Sequence, residues 1–263
     1  MSVSGPEIPD RLRDEYDDWS WQLAWQWPPN TATWQLVSPT EEVRFLKLAR
    51  HGWTPSISDE AARMKWARDH LPVPMVVDQQ RDESVEWLIT TGLEGRNATD
   101  SCLQSDPDRL VCILARGLSR FHAAPVAACP FDFGIRTALN VARDRLERGV
   151  IDPVEGFHSE HSSLTAAEAV AALERSRPAN EDLVVCHGDY CPPNVLIAGN
   201  RVTGYVDLGE LGVADRWWDL AVATWSVTWN LGPGYEDLFL SEYGAELDRG
   251  RLAFYRLLYD VVS

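Results

Sequence analysis

No stretch of the sequence approaches twenty apolar residues, and the opening MSVSGPEIPDRLRDEYDDW is acidic where a secretory leader would be basic and then apolar. A membrane span and a signal peptide are therefore not expected. Cysteine is scarce. Cys102, Cys112, Cys129, Cys186 and Cys191 are odd in number and include no CxxC pair, which argues against a disulfide framework or a zinc knuckle and for free thiols in the cytoplasm. Basic charge is short as well: 24 Lys and Arg stand against 40 Asp and Glu, a formal charge of −16, so a phosphate backbone is repelled and nucleic acid is a poor partner. Internal repeats and low-complexity tracts are lacking, and no motif fixes an oligomeric state.

What is present is length enough, 263 residues, for one large domain or two modest ones. Trp19, Trp21, Leu23, Trp25 and Trp27 share one parity, the alternation of a half-buried strand, and the tryptophans are expected on its buried or lobe-facing side. Pro28-Pro29-Asn30 signals a turn, after which 34–37 and 43–48 read as strands. Ser58 is the expected cap of a helix whose stripe is Ala61, Met64, Ala67 or Arg68, and Leu71 and which Pro72 stops. Strands over 74–77 and 85–90 complete a five-stranded sheet. Beyond a hinge at 91–95 the pattern is mostly helical, over 107–122, 135–149, 165–175, 217–229 and 249–261.

One interruption of the helical part carries the chemistry. A short apolar strand, 183–186, runs into His187-Gly188-Asp189, and 195–197 pairs with 204–206 across Gly199-Asn200 as a hairpin, so two polar clusters are expected at strand ends facing one cleft. The clusters read HxDxxxxN and DxG. Phosphoryl transfer needs a carboxylate to orient the attacking hydroxyl and accept its proton, and oxygen ligands that hold magnesium against phosphates. Asp189, Asn194 and Asp207 supply those oxygens in that order.

The stretches CHGDYCPPNVL, GYVDLGELGVADRWWDLA, FLKLA, EAARMKWARDHLPVP and FHAAPVAACPF, spread from about Val43 to the C-terminus, resemble the aminoglycoside phosphotransferases, kinase-like antibiotic-resistance enzymes, in particular the three-prime hydroxyl type and its streptomycin-modifying relatives. The resemblance implies a bilobal protein-kinase-like α+β fold. Its N-lobe, residues 1–91, would be a five-stranded antiparallel sheet plus a helix and would bind nucleotide. Its C-lobe, 92–263, would be mainly helical and carry the catalytic loop, magnesium and the acceptor.

Residue by residue, Asp189 resembles the catalytic base, and Asn194 and Asp207 resemble the magnesium ligands. Lys47 resembles the lysine on the α and β phosphates and Glu60 its ion-pair partner, while Thr90 and Gly92 resemble hinge positions whose backbone meets adenine. Asp219 and His187 would brace the catalytic loop. Where the family commonly has Gly and Ser in its nucleotide loop, this chain has Trp27-Pro28-Pro29-Asn30-Thr31-Ala32. Two prolines remove two N–H donors, so Asn30 and Thr31 are expected as side-chain donors, Trp27 or Trp34 as an alternative cover for the nucleotide, and the choice between ATP and GTP stays open.

On the acceptor side Asp152, Glu155, Glu160 and Asp260 would meet the ammonium groups of the antibiotic, with aromatic residues over 225–229 in place of an acid some members use and Glu210 where relatives commonly have Arg. The activity implied is magnesium-dependent transfer of the γ-phosphoryl group of ATP or GTP to a hydroxyl of a small cationic aminoglycoside, conferring resistance. A kinase of another small alcohol, whether another antibiotic or a metabolite, and a nucleotide-binding pseudoenzyme are the alternatives.

Overall fold

Alternating aromatic and β-branched residues between Ser20 and Thr91 form five antiparallel strands in the computed structural model, which describes residues 5–263. After a short helix α1 (Asp10–Glu15) come β1 (Ser20–Trp27), β2 (Thr31–Val37), β3 (Val43–Arg50), helix α2 (Ile57–Ala67), β4 (Val76–Arg81) and β5 (Val85–Thr91), the sheet running β1-β2-β3-β5-β4. Leu36, Leu46, Leu48, Trp87 and Ile89 share one face and are sealed by Ile8, Leu12 and Tyr16 of the N-terminal segment, with Trp19, Trp21 and Trp34 packed on the margin. Burying each such side chain contributes about 1.5–3 kcal/mol, which is why α1, too short to stand alone, is held here.

The tryptophan row is not all buried. Leu23 lies opposite Trp34 but Trp25 lies opposite Thr33, so Ala24 is an extra residue, a bulge that reverses the parity of the strand. Trp21 therefore packs against the core, whereas Trp25 and Trp27 are 48% and 60% exposed on the other face. They align there, through Thr33 and Thr31, with Lys47 and Ala49. Ser56 rather than Ser58 caps α2, accepting from the Asp59 N–H, while Ile57, Ala61, Met64 and Ala67 are buried.

This first unit extends to Gly95 and takes in Thr203–Gly209. Thr203 Oγ1 donates to Glu94 O at 2.6 Å and the Tyr205 N–H to Pro72 O at 3.0 Å, tying that distant segment to it.

The second unit covers Arg96–Val202 and Glu210–Ser263. Its elements are β6 (Arg96–Asn97), α3 (Ser101–Gln104), α4 (Pro107–Phe121), α5 (Ile135–Glu147), α6 (Ala166–Ser176), β7 (Leu183–Cys186), β8 (Val195–Ala198), β9 (Arg201–Tyr205, which leads into the first unit), β10 (Gly212–Asp215), α7 (Trp217–Leu231), α8 (Glu236–Tyr243) and α9 (Arg249–Val262). Asp106 and Pro107 start α4, and a reciprocal Thr165–Glu168 capping box starts α6. Helix α7 is buried along eleven consecutive residues, Trp217 to Val227, and packs on α9 and α8. The strand β10, unexpected from sequence, pairs antiparallel with β7, Gly212 opposite Cys186. Among the described residues no helix is long and apolar enough to cross a membrane.

Candidate active site

In the first unit the Lys47 ammonium lies 2.7 Å from Glu60 Oε2 and 2.7 Å from Asp207 Oδ1. Strand β3 points Lys47 away from the Leu46 and Leu48 core, and the first turn of α2 delivers Glu60, only 3% exposed. A buried ammonium is costly unless paired. Burial lowers the Lys47 pKa, but the carboxylates of Asp207 and Glu60 more than reverse this and keep the group charged. Burial also pushes the Glu60 pKa up, with Lys47 opposing. Asp207 has φ 61°, a left-handed conformation that Asp tolerates better than most side chains. The result is one fixed cation with two carboxylates on the sheet face that also carries Trp25 and Trp27.

The expected nucleotide-loop donors fare differently. Thr31 is buried and its hydroxyl donates to Leu48 O at 2.8 Å within the sheet, so it is not a phosphate donor. Asn30 is half-buried at the turn, its N–H bonded to Trp27 O and its carbonyl accepting from the Arg50 N–H. Thr90 is buried opposite Phe45, and the Gly92 N–H closes the ladder onto Val43 O at 2.8 Å, which takes that donor from the hinge. Trp34 belongs to the core face and cannot cover a nucleotide beside Lys47.

In the second unit β7 ends in the loop from His187 to Asn194. Gly188 has φ +92°, and a Cβ there would lie 2.8 Å from Glu210 O, so glycine is required. Asp219 accepts from the His187 N–H at 2.7 Å and the Gly188 N–H at 2.9 Å, and pairs with His122 Nε2 at 2.9 Å, while Trp218 Nε1 donates to Gly188 O at 2.7 Å. His122 bonds Tyr243 through its other nitrogen. Ligand atoms of His122, Cys186 and Asp219 cluster within 4.8 Å, but both Asp219 oxygens already serve the loop, and the cluster acts as its brace. Burial raises the Cys186 thiol pKa well above normal, which removes it as a nucleophile.

Asp189 is partly exposed. Its Oδ2 accepts from Asn194 Nδ2 at 2.9 Å, and the same Nδ2 donates to the Asp189 main-chain oxygen at 3.0 Å. With its nitrogen so committed, Asn194 presents its amide oxygen to any ligand. The Asn194 amide oxygen in this unit and the Asp207 carboxylate in the first are each hard donors, the kind magnesium takes and zinc or copper does not require. Each donor by itself fits that ion.

The four acids expected on the acceptor side divide. Asp152 is exposed and caps its own turn, accepting from the Val154 and Glu155 N–H groups, and Glu155 is exposed beside it. Glu160 is exposed but engaged, accepting from Trp225 Nε1 at 2.9 Å with Arg256 at 3.5 Å. Asp260 does not face an acceptor. Its side chain is fully buried, one oxygen on His158 Nδ1 and the other on His161 Nδ1 at 2.6 Å and the His158 N–H at 3.1 Å, so it anchors the loop instead of meeting solvent. His158 stacks on the exposed Trp229 at 4.3 Å, and the Arg256 guanidinium lies 5.3 Å over Trp225.

Sequence reasoning missed His122, Trp218, Arg256 and Tyr259, the last of which donates to Asp189 Oδ1 at 3.1 Å. His122 and Trp218 left a trace, in the FHAAP and DRWWDLA stretches; Arg256 and Tyr259 act across 96 and 70 residues.

A sequence model of the phosphotransferase enzyme family matches residues 30–255. An aminoglycoside 3'-phosphotransferase of Streptomyces fradiae is 36% identical over 262 residues, spanning 94% of this chain and 97% of the relative. The crystal structure of an aminoglycoside-3'-phosphotransferase of type VIII is similar with a TM-score of 0.87 at 32% identity, over 96% of this chain and 97% of that one. An aminoglycoside phosphotransferase of Streptomyces rimosus in complex with ADP and streptomycin has a TM-score of 0.78 at 26% identity over 96% of each chain.

Proposed function

The chain belongs to the phosphotransferase enzyme family, and from that premise we propose that it transfers the γ-phosphoryl group of ATP to a hydroxyl of an aminoglycoside antibiotic and thereby confers resistance in the cytoplasm. The observation that supports this best is Asp189, a partly exposed carboxylate held by Asn194 on a braced loop. The first unit binds the nucleotide and the second supplies the base and the acceptor site. Lys47, kept charged by Asp207 and Glu60, binds the α and β phosphates on the sheet face it shares with Trp25 and Trp27. Asp189 orients the acceptor hydroxyl and takes its proton as the phosphoryl group moves. Asn194 and Asp207 would hold magnesium, which supplies charge neutralisation at the phosphates when bound.

On the acceptor side the exposed carboxylates of Asp152 and Glu155 attract the ammonium groups of the antibiotic, and Trp229 offers an apolar face to a sugar ring. Positioning and electrostatics carry most of such a reaction. Asp189→Ala should therefore lower kcat by about 10² or more while leaving ATP binding nearly unchanged. Coupled ADP-release kinetics with kanamycin and streptomycin, together with ATP calorimetry, test this. Undiminished turnover in the variant refutes the reading.

A further inference from the structure

A carboxylate that must receive one hydroxyl proton works best when its plane is fixed, because rotation about its terminal torsion is otherwise broad and soft. Asp189 Oδ2 is tethered by Asn194 at 2.9 Å. Cys191 Sγ adds a weak contact to the same oxygen at 3.7 Å, so both contacts act on one side of the group. The second oxygen, Oδ1, accepts the Tyr259 phenol at 3.1 Å. An ionised carboxylate oxygen has more than one acceptor direction, so Oδ1 can hold the phenol and still receive an incoming hydroxyl.

Tyr259 is well placed to be that second tether. It lies near the end of α9, where Arg145 donates to the carbonyls of Val262 and Ser263 and where Asp260 clamps His158 and His161. Its ring also lies 6.4 Å from that of His158. Burial, with the negative charge of Asp189 and Glu210 beside it, pushes the phenol pKa well up, so the group remains a donor. Other tyrosines of the unit serve the fold: Tyr190 donates to Leu114 O and Tyr243 bonds His122.

We propose that Tyr259 is a positioning residue for phosphoryl transfer, locking Asp189 together with Asn194 so that one face of Oδ1 meets the acceptor hydroxyl. The inference rests on the phosphotransferase reading above. The helix end that anchors the acceptor loop through Asp260 thus also sets the base, and binding and chemistry share one support. Removing the phenol oxygen alone takes away the restraint on Oδ1 and reduces the fraction of near-attack geometries.

The test is a double-mutant cycle on the full chain with ATP, magnesium and kanamycin or streptomycin, using Y259F, D189N and the double variant. Y259F keeps the ring. Expected are a kcat lowered about tenfold, both KM values within about twofold of wild type, an unchanged melting temperature, and no further loss when Y259F is added to D189N. Wild-type kcat in Y259F, a change confined to KM, a full additional loss on the D189N background, or a markedly lowered melting temperature each overturns the proposal. A D189N enzyme with normal turnover refutes the phosphotransferase reading itself, whereas an inactive D189N beside a normal Y259F refutes only the role of Tyr259.

Discussion

Sequence reasoning offers Asp260 as a carboxylate for a cationic antibiotic, yet its buried oxygens are spent on His158 and His161. A buried carboxylate must find donors within the protein, and two histidines three residues apart on one loop supply them. Burial raises the Asp260 pKa, but the hydrogen bonds from His158 and then His161 outweigh it and the net direction is down. A carboxyl whose folded pKa is depressed lends stability that is complete above its unfolded value, about 4, and is lost as pH falls through the lower folded value. D260N should therefore lose about 2–3 kcal/mol at neutral pH, with the difference from wild type shrinking in acid below about pH 4. Urea unfolding at a series of pH values measures the gap. A gap that stays constant into acid would show that the carboxylate charge is not what holds the loop.

At the scale of elements, the bulge at Ala24 decides which tryptophans support the fold and which are available to a ligand. Trp21, before the bulge, meets the Tyr16 and Trp34 rings of the core edge. Trp27, after it, is exposed on the face of Lys47. Aromatic stacking on a nucleotide base contributes about 1–3 kcal/mol, so Trp27→Ala should raise the KM for ATP at least about fivefold and leave the KM for the antibiotic unchanged. Trp21→Ala should instead lower the melting temperature. Steady-state kinetics and thermal melts separate the two, and a Trp27→Ala enzyme with unaltered ATP kinetics would leave that ring without a ligand role.

The same bulge marks where the sequence stops being legible. Period and punctuation reveal β3, α4, the β7 end and the β8–β9 turn, because each is encoded within about a dozen residues, and spacing alone brings Asp189, Asn194 and Asp207 to notice. One inserted residue inverts a strand without altering its composition. Likewise nothing local to LLYDVV tells that Tyr259 turns to a carboxylate 70 positions earlier while its neighbour turns to a histidine loop. Short elements such as α1 and β10 exist only because distant partners cover them. Tertiary context, not propensity, fixes these.

Over the whole molecule the formal charge of −16 acts with opposite sign on the two substrates. An aminoglycoside is a polycation and is drawn toward such a surface, whereas magnesium-bound ATP is an anion and is repelled except close to the Lys47 ammonium. Charges beyond the screening length cease to matter, and that length falls from about 30 Å at 0.01 M salt to about 8 Å at 0.15 M. Long-range attraction chiefly raises the association rate and so acts on kcat/KM. Raising sodium chloride over that range should lower kcat/KM for kanamycin by about tenfold, while kcat/KM for ATP stays level or rises and kcat at saturation is unchanged. The divergence carries the argument, because salt damage to the fold would depress both substrates together. If kcat/KM for the antibiotic proves insensitive to salt, the acidic excess is a solvated surface alone, and recognition of the cation must rest on the few carboxylates and rings at the acceptor loop.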